Sequence, residues 1–165
     1  LFFTAYDMEI VDIFNFTSGG YKSMKFRNVK SDGSAAQTTG FVDTDFPLFR
    51  AADAYLMLAE CAARGAADNA KGLAAYNAVR ERAGVPTASS ITPEDVLNER
   101  GRELLWEGHR RSDLIRFGQF TTADYLWEYK GSVKEGAAVA DYRNLFPLPP
   151  ADVNANSNLK QNAGY

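Results

Sequence analysis

The stretch from Leu48 to Arg64 holds neither glycine nor proline, and Phe49, Ala52, Leu56, Ala59 and Ala63 recur along it at the spacing of one helix face. A helix with such a face must bury it against another element. Gly65 stops this first helix, and a second, from about Asn69 to Ala83, carries Leu73, Tyr76, Val79 and Ala83 on one side before Gly84-Val85-Pro86 ends it. So short a connection makes the two antiparallel neighbours, a helical hairpin. In Thr92-Pro93-Glu94-Asp95, Thr92 can cap, Pro93 is preset for the first helical position, and the two acids suit the positive end of the dipole. The third helix that starts here is predicted to reach about His109, with Val96, Leu97, Leu104 and Leu105 as its apolar side. Gly101 inside it costs about 1 kcal/mol relative to Ala, which points to close packing at that position. A short fourth helix, Ser112 to Phe117, precedes Gly118.

The flanks read differently. Residues 1–47 are aromatic and β-branched, broken by the turn chemistry of Ser18-Gly19-Gly20 and Ser31-Asp32-Gly33-Ser34. Met24 and Phe26 alternate with Lys25 and Arg27 as in a half-buried strand, so one or two hairpins are expected, then a polar loop through Gln37-Thr38-Thr39-Gly40. Beyond Gln119 the chain is rich in Tyr, Gly, Asn and Pro, and helical periodicity fades after Trp127. The fold class that follows is mainly α: tetratricopeptide-like helical hairpins between a small irregular or β-hairpin segment (1–47) and a loop-rich C-terminal tail, with 48–165 as the helical region. The two helix pairs share little identity, so any repeat is structural.

At 165 residues, 45% hydrophobic and 24% charged, the chain is long enough for one core. Its formal net charge of −3 supplies no overall positive field for a phosphate backbone, so nucleic acid is not an expected partner. The single cysteine, Cys61, falls in the run Leu56-Met57-Leu58-Ala59-Glu60-Cys61-Ala62-Ala63 and is expected to pack as a small hydrophobe. No stretch approaches the roughly 20 apolar residues of a membrane span, and Leu1 to Asp7 lack a basic n-region and a cleavage site. The chain starts without Met in what reads as a strand, so a preceding N-terminal portion is expected.

Between Glu99 and Arg116 the sequence packs Arg100, Arg102, Arg110, Arg111 and Arg116 among Glu99, Glu103, Glu107 and Asp113. On a continuous helix the three glutamates form an i, i+4 ladder. Acid and base carboxylates of a glycosidase flank a sugar, whereas residues one turn apart on one helix face the same way. An ion-pair network, in which arginine forks hold carboxylates or carbonyls, accounts for the same residues without a substrate. His109 is the only histidine and has no second His or Cys nearby to complete a metal site. Asp43 and Asp45 with Asp32 could bind calcium, although nothing fixes the spacing of a known loop, and neither a nucleophile elbow nor a phosphate-binding glycine loop is present. Neither cofactor nor catalysis is expected.

Three stretches carry a family resemblance, in order along the chain. They are Phe46-Pro47-Leu48-Phe49-Arg50-Ala51-Ala52-Asp53-Ala54-Tyr55-Leu56-Met57-Leu58-Ala59-Glu60, an Arg-led helix ending in Ala-Glu, then Glu99-Arg100-Gly101-Arg102-Glu103-Leu104-Leu105-Trp106-Glu107-Gly108-His109-Arg110-Arg111-Ser112-Asp113-Leu114-Ile115-Arg116-Phe117-Gly118. The last is Phe146-Pro147-Leu148-Pro149-Pro150 with Asn158-Leu159-Lys160-Gln161-Asn162-Ala163-Gly164-Tyr165. With Asn77-Ala78-Val79-Arg80-Glu81-Arg82-Ala83-Gly84 between them, these resemble the SusD/RagB family over most of residues 46–165, although that family usually has Pro at the place of Ala163. The resemblance implies a tetratricopeptide-like scaffold anchored by an N-terminal lipid, absent from this chain, on the outer surface of a bacterial outer membrane. It further implies non-catalytic capture of a glycan, or in some members a peptide, and delivery to a SusC-like TonB-dependent transporter. A tetratricopeptide-like protein-interaction scaffold is the other function class that the helices allow.

The family positions carried over, Arg50, Glu60, Glu99, Arg100, Glu103, Glu107, Arg110, Asp113 and Arg116, are read as scaffold ion pairs. Sugars are held by aromatic faces against their C–H side, with polar groups on the hydroxyls. Among Trp106, Tyr125, Trp127, Tyr129 and Tyr142, Trp106 lies within the helix signature and is expected in the core. Tyr125, Trp127 and Tyr129 are the candidate ligand-binding residues. The resemblance places most of the glycan platform in segments N-terminal to this region.

Overall fold

The computed structural model describes residues 2–3, 9–10, 12, 14, 20–23, 25–30 and 32–165, and it divides into two units, Leu1–Phe49 and Arg50–Tyr165. Ser18, Gly19, Met24 and Ser31, on which part of the turn and strand readings rests, lie outside the described residues.

In the first unit, β1 (Phe2–Phe3) pairs antiparallel with β2 (Lys22–Ser23), Phe2 opposite Ser23. The turn at Asp32-Gly33 forms: Gly33 N–H donates to Lys30 O at 2.9 Å and an antiparallel bridge joins Val29 to Ala35. The strand expected through Phe26 and Arg27 does not form. Asn28 is drawn across the unit instead, its amide donating to Thr38 O and Phe41 O at 3.2 Å and accepting from Asp43 N–H at 3.2 Å.

The second unit is helical: α1 (Ala51–Ala63), α2 (Asn69–Arg82), α3 (Pro93–Glu103), α4 (Arg110–Arg116) and α5 (Pro150–Ala155). The first two form the expected hairpin. A Cβ on Gly72 would stand 2.1 Å from the Ala62 Cβ, so only glycine lets α2 lie this close to α1. Leu56 and Ala59 of α1, Tyr76 and Val79 of α2 and Val96 of α3 make the core, with Ala52, Ala63, Ala88 and Ile91 around it. The Asn77 side chain pins the loop between α2 and α3 by bonding both backbone groups of Ala88, at 2.9 and 2.8 Å. Thr92 and Asp95 close a reciprocal capping box and Pro93 occupies the first turn, as their order implies.

Several expectations are corrected. Helix α1 begins at Ala51 because Arg50 is extended (φ −131°, ψ 146°), which leaves Phe49 outside the helix and 94% exposed. Cys61 lies off the buried stripe and is exposed. Of the face assigned to α2, Tyr76 and Val79 are buried, Leu73 is half-buried and Ala83 is exposed.

The largest difference is at the end of α3, which stops at Glu103 rather than near His109. Trp106 at φ 64° and Gly108 at φ 80° turn the chain, so Glu107 leaves the helix that periodicity assigns to it. Trp106 is 67% exposed, not core, because the turn swings it off the apolar face where Leu104 remains buried. Helix α4 starts two positions earlier than expected, and α5, opened by Pro150 after an extended Pro149, is a helix that the tail's composition concealed.

Candidate functional site

Arginine forks tie the helices together. Arg100 of α3, 3% exposed, donates to Asp53 Oδ1 of α1 at 2.7 Å and to Asp113 Oδ2 of α4 at 2.9 Å. Arg116 of α4 donates to Asp113 Oδ1 at 2.8 Å and to both oxygens of Glu60 on α1, at 3.0 and 2.8 Å, and Arg64 joins Glu60 at 3.0 Å. One connected chain of charges therefore runs Arg64, Glu60, Arg116, Asp113, Arg100, Asp53.

Ahead of α1, Arg50 reaches the far end of α3. It donates to Glu107 Oε2 at 2.8 Å, Glu103 Oε1 at 2.8 Å and Glu103 O at 3.1 Å, and Arg82 of α2 takes the other Glu103 oxygen at 2.6 Å. Glu99 bridges Arg80 at 2.7 Å and Arg102 at 2.6 Å.

The electrostatics follow from these contacts. Burial pushes the Glu60 carboxyl up, but hydrogen bonds and charge from Arg116 and Arg64 outweigh it and hold it below the usual range. The bond to Glu107, opposed by burial and reinforced by Glu103, raises Arg50, and Glu60 does the same for Arg116.

All the scaffold residues named from sequence except Arg110 sit in these pairs. Arg110 donates to Leu97 O at 2.8 Å, packs its guanidinium on Gly101, where a Cβ would meet it at 3.1 Å, and lies 4.6 Å from the centroid of the Tyr125 ring. That stacking explains the glycine inside α3. Sequence reading missed Asp53, although an acid between Ala52 and Leu56 on the apolar stripe of α1 was a usable sign that a cation waits in the core.

Beside α4 the tail closes a cleft of about 780 Å³ whose lining includes Arg111, Phe120, Trp127, Tyr129, Arg143 and Phe146. Two sets of bonds hold its walls. Lys130, 2% exposed, donates to Thr122 O at 2.5 Å and Tyr125 O at 2.7 Å, and its ammonium lies 4.8 Å from the Trp127 ring centroid. Burial lowers the Lys130 ammonium from its ordinary value. Ala137 N–H donates to Lys130 O at 2.9 Å and Val139 N–H to Thr121 O at 2.8 Å, so this irregular loop is well tied.

At the other wall, Gln161 bonds both backbone groups of Leu148, Asn162 donates to Phe146 O at 2.7 Å and the Tyr165 hydroxyl to Leu145 O at 2.8 Å. Gly164 passes so close to Tyr142 that no side chain fits there, and the Tyr142 and Tyr165 rings meet edge to face at 4.8 Å. These contacts give the two C-terminal sequence stretches a common purpose, each being the other's partner.

Trp127 and Tyr129 line this cleft. Trp127 is 39% exposed, lies 5.9 Å from Phe120 in a stacked pair and 6.3 Å from Tyr125. Tyr125 opens instead onto a neighbouring hollow of about 560 Å³ with Asn98, Trp106 and Arg110, and Arg111 borders both. Phe120, Lys130, Arg143 and Phe146 were not singled out from sequence as ligand-facing. Phe146 was visible only as part of a motif, and nothing local marks the others.

A model of the SusD family matches residues 9–165. The chain belongs to the SusD family. It is 42% identical over 147 residues to the starch-binding protein SusD of Bacteroides thetaiotaomicron, a match that covers 88% of this chain and 26% of that protein. This SusD-family chain therefore spans about a quarter of the length of that curated relative. Among solved structures, surface glycan-binding protein A from Bacteroides uniformis superposes with a TM-score of 0.61 at 27% identity, over 72% of this chain and 27% of its own. The protein of the same description from Bacteroides thetaiotaomicron, in complex with laminarihexaose, gives a TM-score of 0.62 at 23% identity, over 79% of this chain and 29% of its own, a likeness of fold. The tetratricopeptide-like helical fold read from the sequence is the fold of this family.

Proposed function

We propose that this chain is the C-terminal region of a non-catalytic glycan-capture protein, held by a lipid anchor at the outer-membrane surface, that passes oligosaccharide to a TonB-dependent partner. In this reading residues 48–165 are the helical end of a larger domain whose other segments supply most of the glycan platform. The 42% identity to a starch-binding protein supports capture of a glycan. The observation that carries a contribution from this chain is the cleft in which Trp127 offers an exposed indole beside Tyr129, Phe120 and Phe146, the apolar, polar-rimmed surface that a pyranose needs. Tyr125 borders the adjoining hollow and extends that surface. The glutamates Glu99, Glu103 and Glu107 are each committed to an arginine, and among the described residues the cleft lining includes no Asp or Glu side chain, which supports binding without bond cleavage.

Gel retardation of the full-length protein across a glycan panel, beside Trp127→Ala, tests the proposal. Retardation by one glycan class, weakened in the variant, is the expected outcome. Absence of retardation by every glycan moves the reading to a peptide ligand or to the protein-interaction scaffold.

A further inference from the structure

The arginines of the helical unit fall into two sets. Arg50, Arg64, Arg80, Arg82, Arg100, Arg102 and Arg116 each contact a carboxylate. Arg110, Arg111 and Arg143 have no carboxylate partner among the described residues. Arg111 donates through one nitrogen to Arg143 O at 2.7 Å and Asn144 O at 3.3 Å, and its guanidinium lies 3.9 Å from the Phe146 ring centroid and 4.8 Å from that of Phe120. Arg143 lies 5.4 Å from the Tyr142 ring centroid. A carbonyl or a ring face occupies a donor or a flat side of guanidinium but leaves its positive charge uncompensated.

Arg111 and Arg143 both line the 780 Å³ cleft, with Lys130 buried in its wall, and the lining includes no Asp or Glu. Two acids adjoin it in sequence: Glu128 is not part of the lining, and Asp141 accepts from the Thr121 hydroxyl at 2.7 Å. A cationic hollow on a chain of net charge −3 is a local arrangement, not a reflection of composition.

We propose that the ligand of this cleft is an acidic oligosaccharide, with the C–H face of a sugar ring on Trp127 and a carboxylate or sulfate at Arg143 and the open edge of Arg111. Planar forks suit such oxyanions in two-point contact. The inference rests on the cleft being a glycan site, and it departs from starch and laminarihexaose, the uncharged glucans named for the relatives.

The test is calorimetric titration of the full-length protein with tetragalacturonate, its fully methyl-esterified form, a sulfated galactan tetrasaccharide and laminarihexaose, each against wild type, Arg143→Gln and Trp127→Ala. The expected result is a roughly tenfold preference for an acidic probe over the methyl ester, falling to about threefold or less in Arg143→Gln and in strong salt, where the screening length shrinks to a few ångströms. Preference for the sulfated probe alone supports the proposal and assigns the oxyanion. Equal binding of acid and ester, or of laminarihexaose, with loss in Trp127→Ala overturns the acidic ligand and leaves glycan capture standing. No binding of any probe overturns the acidic ligand, and retardation across the glycan panel then decides capture itself. Arg143 is exposed and in no ion pair among the described residues, so an unchanged melting temperature in Arg143→Gln is the control for folding.

Discussion

Replacing Arg100 by Met keeps most of the side-chain volume and removes one charge from the centre of the helical unit. In the native chain Arg100 serves two carboxylates that are themselves buried, Asp53 at 8% and Asp113 at 1% exposure. Asp113 keeps its contact to Arg116 at 2.8 Å, but Asp53 loses the guanidinium that holds it at 2.7 Å. Removing one partner of a buried ion pair costs about 3–5 kcal/mol, because the remaining charge stays desolvated. Against a total stability of roughly 5–15 kcal/mol this is a large fraction, and it corresponds to a melting temperature lower by about 15 °C for a unit of this size. Urea unfolding at pH 7, followed by far-ultraviolet circular dichroism, measures it, with an unchanged m value showing that the denatured state is not what moved. Adding Asp53→Leu to Arg100→Met removes the stranded charge, so the double variant is expected to recover at least half of the loss. A loss below about 1 kcal/mol in Arg100→Met, or a double variant as unstable as the sum of the singles, refutes the buried triad.

Gly72→Ala is expected to destabilise by about 1–3 kcal/mol in the same urea assay, since its Cβ lands 2.1 Å from Ala62 Cβ and the two helices must part. Thr92→Ala, which opens the capping box of α3, is expected to cost about 1 kcal/mol, and Thr92→Ser much less. The folded Glu60 carboxyl titrates below its ordinary 4.5, so its stabilising contribution is complete above that value and is lost as pH falls through the lower folded one. The urea midpoint measured from pH 7 downwards is therefore expected to fall in acid, and less steeply in Glu60→Gln; parallel curves would remove Glu60 from the account. The isolated chain, with Tyr55, Met57 and Leu58 exposed along α1, is expected to melt below the full-length protein by calorimetry, and an equal or higher value contradicts it.

Helices α1 to α3 were legible because much of what makes them is written locally: Leu56 and Ala59 on the stripe of α1, Tyr76 and Val79 on that of α2, Gly65 as a stop, and Thr92-Pro93 as a start, although α1 begins three residues later than its periodicity implies. What escaped is set by distant residues. Nothing within the run Glu99 to His109 says that the helix ends at Glu103, since Leu104, Leu105 and Trp106 are acceptable helix residues. At the break the chain meets a distant residue, Arg50, whose fork holds the carboxylates of both Glu103 and Glu107 and the Glu103 carbonyl. Likewise the walls of the cleft tie Thr121 and Lys130 to Val139 and Ala137, and Phe146 and Leu148 to Asn162 and Gln161, through backbone and amide contacts that leave no periodic trace. The ion pairs were visible as a dense alternation of charge, but which arginines stay outside them was not, because pairing depends on where α4 points.

That orientation links the scaffold to the cleft. Helix α4 is only seven residues long, too short to be stable by its own hydrogen bonds, so its direction is set by what grips it. Asp113 and Arg116 are gripped by Arg100 and Glu60, which belong to α3 and α1. Residues three and four apart share a helix face, so Asp113 and Arg116 point together into the network, and Arg111, two positions before Asp113, projects away from it toward Phe120 and Phe146. The same seven residues thus bury one set of charges among the helices and present another to the cleft. A buried network that returns little net stability still earns its place if it fixes where Arg111 stands, because a two-point contact to an oxyanion tolerates little angular error. Stability and binding are therefore separable: Arg143 and Trp127 report on the cleft, whereas Arg100 reports on the frame that holds α4 against α1 and α3.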